Sequence, residues 1–238
     1  MIKIAAIVPA YNEEKAIAAV VNDINTISQS QNFSITVVVV NDCSTDSTSE
    51  IISKLNCIAL NLPINLGIGG AVQTGFKYAF ENGFDYAMQI DGDGQHPASE
   101  IPKLTTAIIE NELDVVIGSR FISKEGFQSS IVRRFGINYF KWLNRLFVGV
   151  TINDSTSGFR LINKKALEIV SNYYPDEYPE PEAIILYSLN KLNIGEVAVN
   201  MKERQGGVSS INTFSSIYYM FKVTLAIIYT FIRIKFKK

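Results

Sequence analysis

The chain carries little charge. Charged residues fill 19% of its 238 positions, and 22 lysines and arginines nearly balance 23 aspartates and glutamates, for a net charge of −1. Soluble proteins average about 25% charged residues. With no field of either sign, nucleic acid is excluded as a partner recruited by a basic surface, and any anion must be met by a few local arginines. Histidine occurs once, at 96, and cysteine twice, at 43 and 57. That supplies neither a Cys/His metal cage nor a disulfide framework, and points to a reducing, cytoplasmic setting. The first apolar run, MIKIAAIV, is cut short by Pro9, Asn12, Glu13 and Glu14, so it does not read as a secretory leader. Internal repeats and low-complexity linkers are lacking as well.

Apolar residues are present in some excess, at 47%. The length suits one large domain with a buried core. Ile2–Val8 and Ile35–Val40 are continuous β-branched runs, the signature of strands covered on both faces. Between and after them come apolar stripes at helical spacing over Glu13–Ile27, Asp46–Leu55 (with Asp46 as N-cap), Gly69–Phe80 and Ile101–Glu110. Shorter strands fit Ile58–Leu60, Tyr86–Ile90 and Val115–Ile117. The alternation predicts an α/β fold with a mostly parallel sheet and helices on both faces, in which ligands sit outside the carboxyl ends of the strands. The second half is less regular. A helix is predicted over Ile131–Val148, a turn and strand over TSGFRLIN, a helix over Glu182–Leu192 and a strand over Glu196–Val199. Residues 1–210 read as the catalytic domain and 211–238 as a C-terminal apolar helix with a basic end.

Polar clusters follow four of the predicted strands: Pro9–Glu14, Asn41–Asp46, Asp91-Gly92-Asp93 and Gly118-Ser119-Arg120. The strand order would bring them to one edge. Asp91 and Asp93, one glycine apart, would repel if both were ionised and unpaired. A Mg²⁺ or Mn²⁺ ion resolves the repulsion, since such ions take one or two carboxylates and complete their shell with substrate phosphates. The alternative is a surface turn with an aspartate capping the next helix. His96, beside the pair, is either a ligand, a base or a hydrogen-bonded brace. In NLGIGGAVQTG the glycines lack G-x-G-x-x-G spacing and do not follow the first strand, which excludes a dinucleotide fingerprint; they either approach a nucleotide or let a helix pack tightly. Arg120, Arg133, Arg134, Arg160 and Arg204 are the candidate phosphate ligands. The run Ile217–Ile232 contains Lys222, is marginal for a membrane span, and ends in Arg233, Lys235, Lys237 and Lys238. It reads as an interfacial or subunit-contacting helix, with a homodimer as one outcome.

VPAYNEE, VVVNDCSTDST, NLGIGGA, IDGDGQHP, GSRF and DSTSGFR occur in an order and spacing that resemble the family-2 glycosyltransferases, in particular their dolichol- and polyprenyl-phosphate sugar transferase branch. The resemblance covers about residues 1–210. It implies a GT-A fold, a nucleotide-sugar donor (UDP- or GDP-linked), Mg²⁺ or Mn²⁺, and inversion at the anomeric carbon. It implies that Pro9, Tyr11, Asn12, Glu13, Asp42, Gly67, Gly70, Asp91 and Gly92 line the donor pocket, with Asp42 toward the base or ribose. It implies that Asp91, Asp93 and Gln95 form the metal site and that Arg120, Arg134 and Arg204 surround phosphates. Asn138 stands where these enzymes tend to carry a small hydroxyl residue, Asn41 replaces a frequent aspartate and Cys43 a frequent glycine. The implied acceptor is a polyprenyl phosphate or a lipid-linked glycan at the inner face of the plasma membrane. A phosphate acceptor is already anionic near pH 7 and needs no strong base; a sugar hydroxyl would need one, for which Asp154, Glu180 and Glu182 are the candidates. A nucleotidyltransferase and a non-catalytic nucleotide-binding module are the alternative readings.

Overall fold

The computed structural model describes residues 1–28, 33–123, 131–202 and 213–236; at 131–135, 137, 213–217 and 219 it describes the backbone alone. Its centre is a sheet of seven strands: β1 (Ile2–Ala10), β2 (Phe33–Asn41), β3 (Ile58–Asn61), β4 (Tyr86–Gln89), β5 (Val115–Ser119), β6 (Arg160–Asn163) and β7 (Ile194–Ala198), in the order β3-β2-β1-β4-β6-β5-β7. β6 alone runs against its neighbours, pairing antiparallel with β4 and β5, while the other pairings are parallel.

The continuous apolar runs of β1 and β2 are explained by burial on both faces. Ile4, Ala6 and Val8 join one core with Val37 and Val39; Ala5 and Ile7 join the other with Val38 and Val40. The first core is closed by α1 (Ile17–Ser28) and α4 (Ile101–Glu110), through Ile17, Val21, Ile24, Leu104 and Ile108. The second is closed by α3 (Gly67–Glu81), α6 (Lys164–Asn172) and α7 (Pro179–Leu189). Each fully buried aliphatic side chain contributes roughly 1.5–3 kcal/mol. Gly75 lets α3 lie directly on β1, because a Cβ there would collide with the Ile7 side chain.

Three local expectations shift. The second helix is the short α2 (Thr48–Ile52); Asp46 stays outside it and accepts from the Thr48 N–H at 2.9 Å. α6 is an element that the apolar pattern did not single out, although Asn163 caps it by accepting from the Ala166 N–H at 3.0 Å and Ala166, Leu167 and Val170 form its buried stripe. α7 starts at Pro179 rather than Glu182, since a proline at the first helical position costs no hydrogen bond, so Glu180 and Glu182 both lie in its first turn.

α7 is apolar on nearly every side, as expected of a helix packed between two layers. Ala183, Ile184 and Tyr187 face the sheet; Ile185 faces a third cluster with Phe140 and Leu143 of α5 (Ile131–Val148) and Val223 and Ile227 of α8 (Thr213–Lys235). The C-terminal helix thus packs on the domain through α7.

Candidate active site

The carboxyl ends of β1, β2, β4 and β5 share one edge of the sheet, so the four polar clusters do converge. Antiparallel β6 begins at that edge, which delivers a fifth cluster, Asp154–Gly158, between the ends of β4 and β5.

The loops after β1 and β2 knit together. Asn12 sits in the left-handed region at φ 57°. Its N–H donates to Ser44 Oγ at 3.1 Å, and its side-chain oxygen accepts from the Thr45 N–H at 2.8 Å. Thr48 Oγ1 accepts from the Glu13 N–H at 2.8 Å. Tyr11 projects from this platform, half exposed. Asp42 is buried, and its two oxygens accept from the Leu66 and Gly67 N–H groups at 2.7 and 2.9 Å. Its carboxylate therefore supports the glycine loop. Gly67 takes φ 76° at this bend. The other glycines serve packing: a Cβ on Gly69 would strike the Pro175 and Asp176 carbonyls, and one on Gly70 would sit 2.6 Å from Leu66 Cβ.

The Asp91-Gly92-Asp93 turn is braced from several sides. The Asp91 N–H donates to His96 Nδ1 at 3.0 Å, which leaves the imidazole proton on Nε2, 3.6 Å from the Asp91 carboxylate. The buried His96 ring stacks on Phe159 with centroids 4.9 Å apart. His96 is thus a brace. A Cβ on Gly92 would lie 2.9 Å from the Pro9 carbonyl, so the turn packs on the end of β1. Asp93 is buried and accepts from the Gln95 N–H at 3.0 Å; the Asp91 side chain is about one-third exposed, at 32%. Among the described residues no group of three His, Cys, Asp or Glu side chains makes a closed metal cage. Asp91 and Asp93, with Gln95 bonded to the turn through its N–H, are oxygen-bearing residues of the kind that would suit Mg²⁺ or Mn²⁺ with phosphate oxygens completing the shell.

Arg120 and Asp154 form a buried bidentate pair. Arg120 Nε donates to Oδ2 and Nη2 to Oδ1, both at 2.7 Å, and the Arg120 N–H adds a third bond at 3.1 Å. A fully buried carboxylate so occupied is an anchor for Arg120, which corrects its candidacy as a base. Glu196 of β7, which no sequence signal singled out, orients the same loop by accepting from the Asn153 and Asp154 N–H groups at 2.7 and 2.9 Å.

Glu180 and Glu182 part company. Glu180 lies near Asp91, Gln89 and Arg160; burial pushes its carboxyl above the usual range, Arg160 pulls it back and Asp91 adds to the rise. Glu182 faces away from this edge. It is buried against α8, accepts from Thr230 Oγ1 at 3.0 Å, and burial pushes it up to about 7. That placement removes Glu182 from the site. The Arg133 and Arg134 side chains and Arg204 lie outside the described residues.

A mostly parallel sheet with a carboxylate turn at its centre and an antiparallel strand inserted beside that turn defines the class: a GT-A type glycosyltransferase fold. Glucosyl-3-phosphoglycerate synthase of Mycobacterium tuberculosis, solved with Mn²⁺, UDP and glucosyl-3-phosphoglycerate, shares it at a TM-score of 0.71 and 16% identity, over 98% of this chain and 79% of that one. The sequence matches glycosyl transferase family 2 over residues 5–170, and the chain belongs to that family. Its relatives include the UDP-N-acetylglucosamine–dolichyl-phosphate N-acetylglucosaminyltransferase of Methanococcus voltae, 35% identical over 213 residues (81% of this chain, 83% of the relative). The polyprenol monophosphomannose synthase of Mycolicibacterium smegmatis is 26% identical over 229 residues (91% and 84%).

Proposed function

We propose that this glycosyltransferase moves a sugar from a nucleotide-sugar donor to a polyprenyl phosphate, with inversion, at the cytosolic face of a membrane. What supports the reading is the braced Asp91-Gly92-Asp93 turn with Gln95, at the sheet edge where Tyr11, Asn12 and the Asp42-supported glycine loop also lie. UDP is the favoured nucleotide, from the names of relatives and of the solved neighbour. Asp91, Asp93 and Gln95 would hold Mg²⁺ or Mn²⁺, which supplies charge stabilisation to a departing diphosphate. Tyr11 offers a face to the base. Arg120, fixed by Asp154, and Arg134 and Arg204 from elsewhere in the chain contribute positive charge for phosphates. A phosphate monoester acceptor is largely dianionic near neutrality, so the oxygen attacks without a strong base.

The membrane reading rests on α8. Tyr218, Phe221, Leu225, Tyr229 and Ile232 recur at helical spacing and are all at least half exposed, while the helix ends in Arg233 and Lys235. Trp142 and Leu146 of α5 are likewise exposed. No described helix is long and apolar enough to cross a membrane. An apolar face with a basic end suits an anionic lipid surface.

The test is transfer of labelled sugar from UDP- and GDP-sugars to a short polyprenyl phosphate, with Mg²⁺, Mn²⁺ or EDTA. A metal-dependent glycolipid with release of nucleoside diphosphate supports the proposal. Release of pyrophosphate would identify a nucleotidyltransferase instead, and nucleotide binding without any turnover a non-catalytic module. For the membrane reading, Phe221→Ser with Tyr229→Ser should weaken flotation with anionic vesicles; unchanged flotation of the folded variant would refute it.

A further inference from the structure

Arg160 opens β6 and is about 1% exposed, yet among the described residues it has no carboxylate within ion-pair distance. Taking a guanidinium out of water costs several kcal/mol unless its hydrogen bonds are replaced, so its bonds identify what it holds. Nε donates to the Ser157 carbonyl at 2.8 Å; Nη2 donates to the Ser155 carbonyl at 3.1 Å and to the Glu180 carbonyl at 2.7 Å. One side chain therefore joins the Ser155–Ser157 segment to Glu180, which lies 20 residues beyond Arg160 itself. The first contains Asp154, the anchor of Arg120, and Gly158, where a Cβ would lie 2.9 Å from Asp91 Oδ1. The second is the first turn of α7. Beneath them Tyr174 directs its hydroxyl toward Gln89 Oε1 at 3.5 Å, and Tyr187 lies within electrostatic reach of the guanidinium.

We propose that Arg160 is a positioning residue for sugar transfer: its planar fork locks the Ser155–Ser157 loop to the start of α7, and so holds the Glu180 side chain facing Asp91 and the reacting end of the donor. The inference rests on the proposed function for its turnover arm only. Lysine preserves charge and supplies no planar fork, so Arg160→Lys separates geometry from charge. Nucleotide affinity should be spared, because the loops after β1 and β2 are tied to one another and not to Arg160.

The experiment is a double-mutant cycle on Arg160→Lys and Glu180→Gln, with three readouts. Calorimetric UDP affinity in Mn²⁺ should stay within about threefold, while kcat for glycolipid formation falls roughly 10–100-fold, the scale of a misplaced group. The double variant should be no slower than Glu180→Gln. Hydrogen exchange of the α7 amides should quicken in Arg160→Lys, a readout that needs no turnover. Additive kcat losses, a parallel loss of UDP affinity, or unchanged exchange would overturn the proposal. If Arg160→Lys does not fold, Glu180→Gln decides alone: unaltered kcat overturns it, and a fall in kcat at constant UDP affinity supports it. A wild type that forms no glycolipid refutes the proposed function, and the exchange arm still tests the lock.

Discussion

The two wings of the sheet reach the same edge by different rules. In the wing β3-β2-β1-β4 all strands are parallel, and loops that follow one another in sequence meet as neighbours: Asn12 with Ser44 and Thr45, and Asp42 with Leu66 and Gly67. In the wing β6-β5-β7, antiparallel β6 is inserted between β4 and β5, and Arg120, Asp154, Arg160, Glu180 and Glu196 are brought together by pairing out of chain order. The first wing supplies exposed, backbone-rich donors suited to a nucleotide. The second buries charges in fixed pairs and struts. Both wings join segments 20 or more residues apart, so what separates them is burial: the loops of the first wing are bonded to one another at the surface, and the Arg120–Asp154 pair of the second is desolvated.

The largest effect should fall where the wings meet. Asp91→Asn or Asp93→Asn should lower metal-dependent turnover by about 10²–10³-fold, the scale of removing one charge-stabilising group, with the thermal midpoint little changed; steady-state kinetics with Mn²⁺ checks this. Asp154→Asn comes next. It strands the buried Arg120 guanidinium and should cost about 3–5 kcal/mol in urea unfolding. Loss below 1 kcal/mol would mean that the pair is not desolvated in solution.

Glu182 gives a comparison within one helix turn. Its folded-state value of about 7 exceeds the ordinary 4.5. Burial is the main cause, Asp176 and Glu177 add to it, and the Thr230 hydroxyl opposes it. Among the described residues no cation pairs with it: Lys222 pairs with Glu177 at 3.2 Å and Arg233 lies over the Tyr173 ring at 4.1 Å. The folded state therefore binds more protons than the unfolded one between about pH 4.5 and 7. This residue's contribution is most favourable below that window and is lost as pH rises through about 7, a swing on the order of 3 kcal/mol. Glu182→Gln should be the more stable protein at pH 8 and should flatten this part of the profile, as chemical unfolding at a series of pH values would show. Ser44→Ala in the nucleotide wing is the smallest change, about 1 kcal/mol for one partly exposed hydrogen bond.

What could be read from sequence follows the same division. β1, β2 and α4 were legible because burial on two faces or one stripe leaves a local pattern, and α4 matches its expected span of Ile101–Glu110. The carboxylate turn was legible because its spacing is local. The direction of β6 was not, since TSGFRLIN carries no signal for which strands it will separate. Asp154 read as a base because sequence does not show that Arg120, 34 residues earlier, saturates it. Glu180 and Glu182 looked equivalent until the start of α7 at Pro179 was placed; two positions apart on a helix, they point to different neighbours. Glu196 stood in a short strand among apolar neighbours, with nothing local to mark it.

The most direct measurement is formation of sugar–phosphate–polyprenol from a UDP-sugar and a short polyprenyl phosphate, followed with and without EDTA in wild type and Asp93→Asn. A glycolipid and UDP in equal amounts are expected from the wild type, and loss of both with EDTA or with the substitution. Transfer that continues unchanged in EDTA and in Asp93→Asn would contradict that expectation.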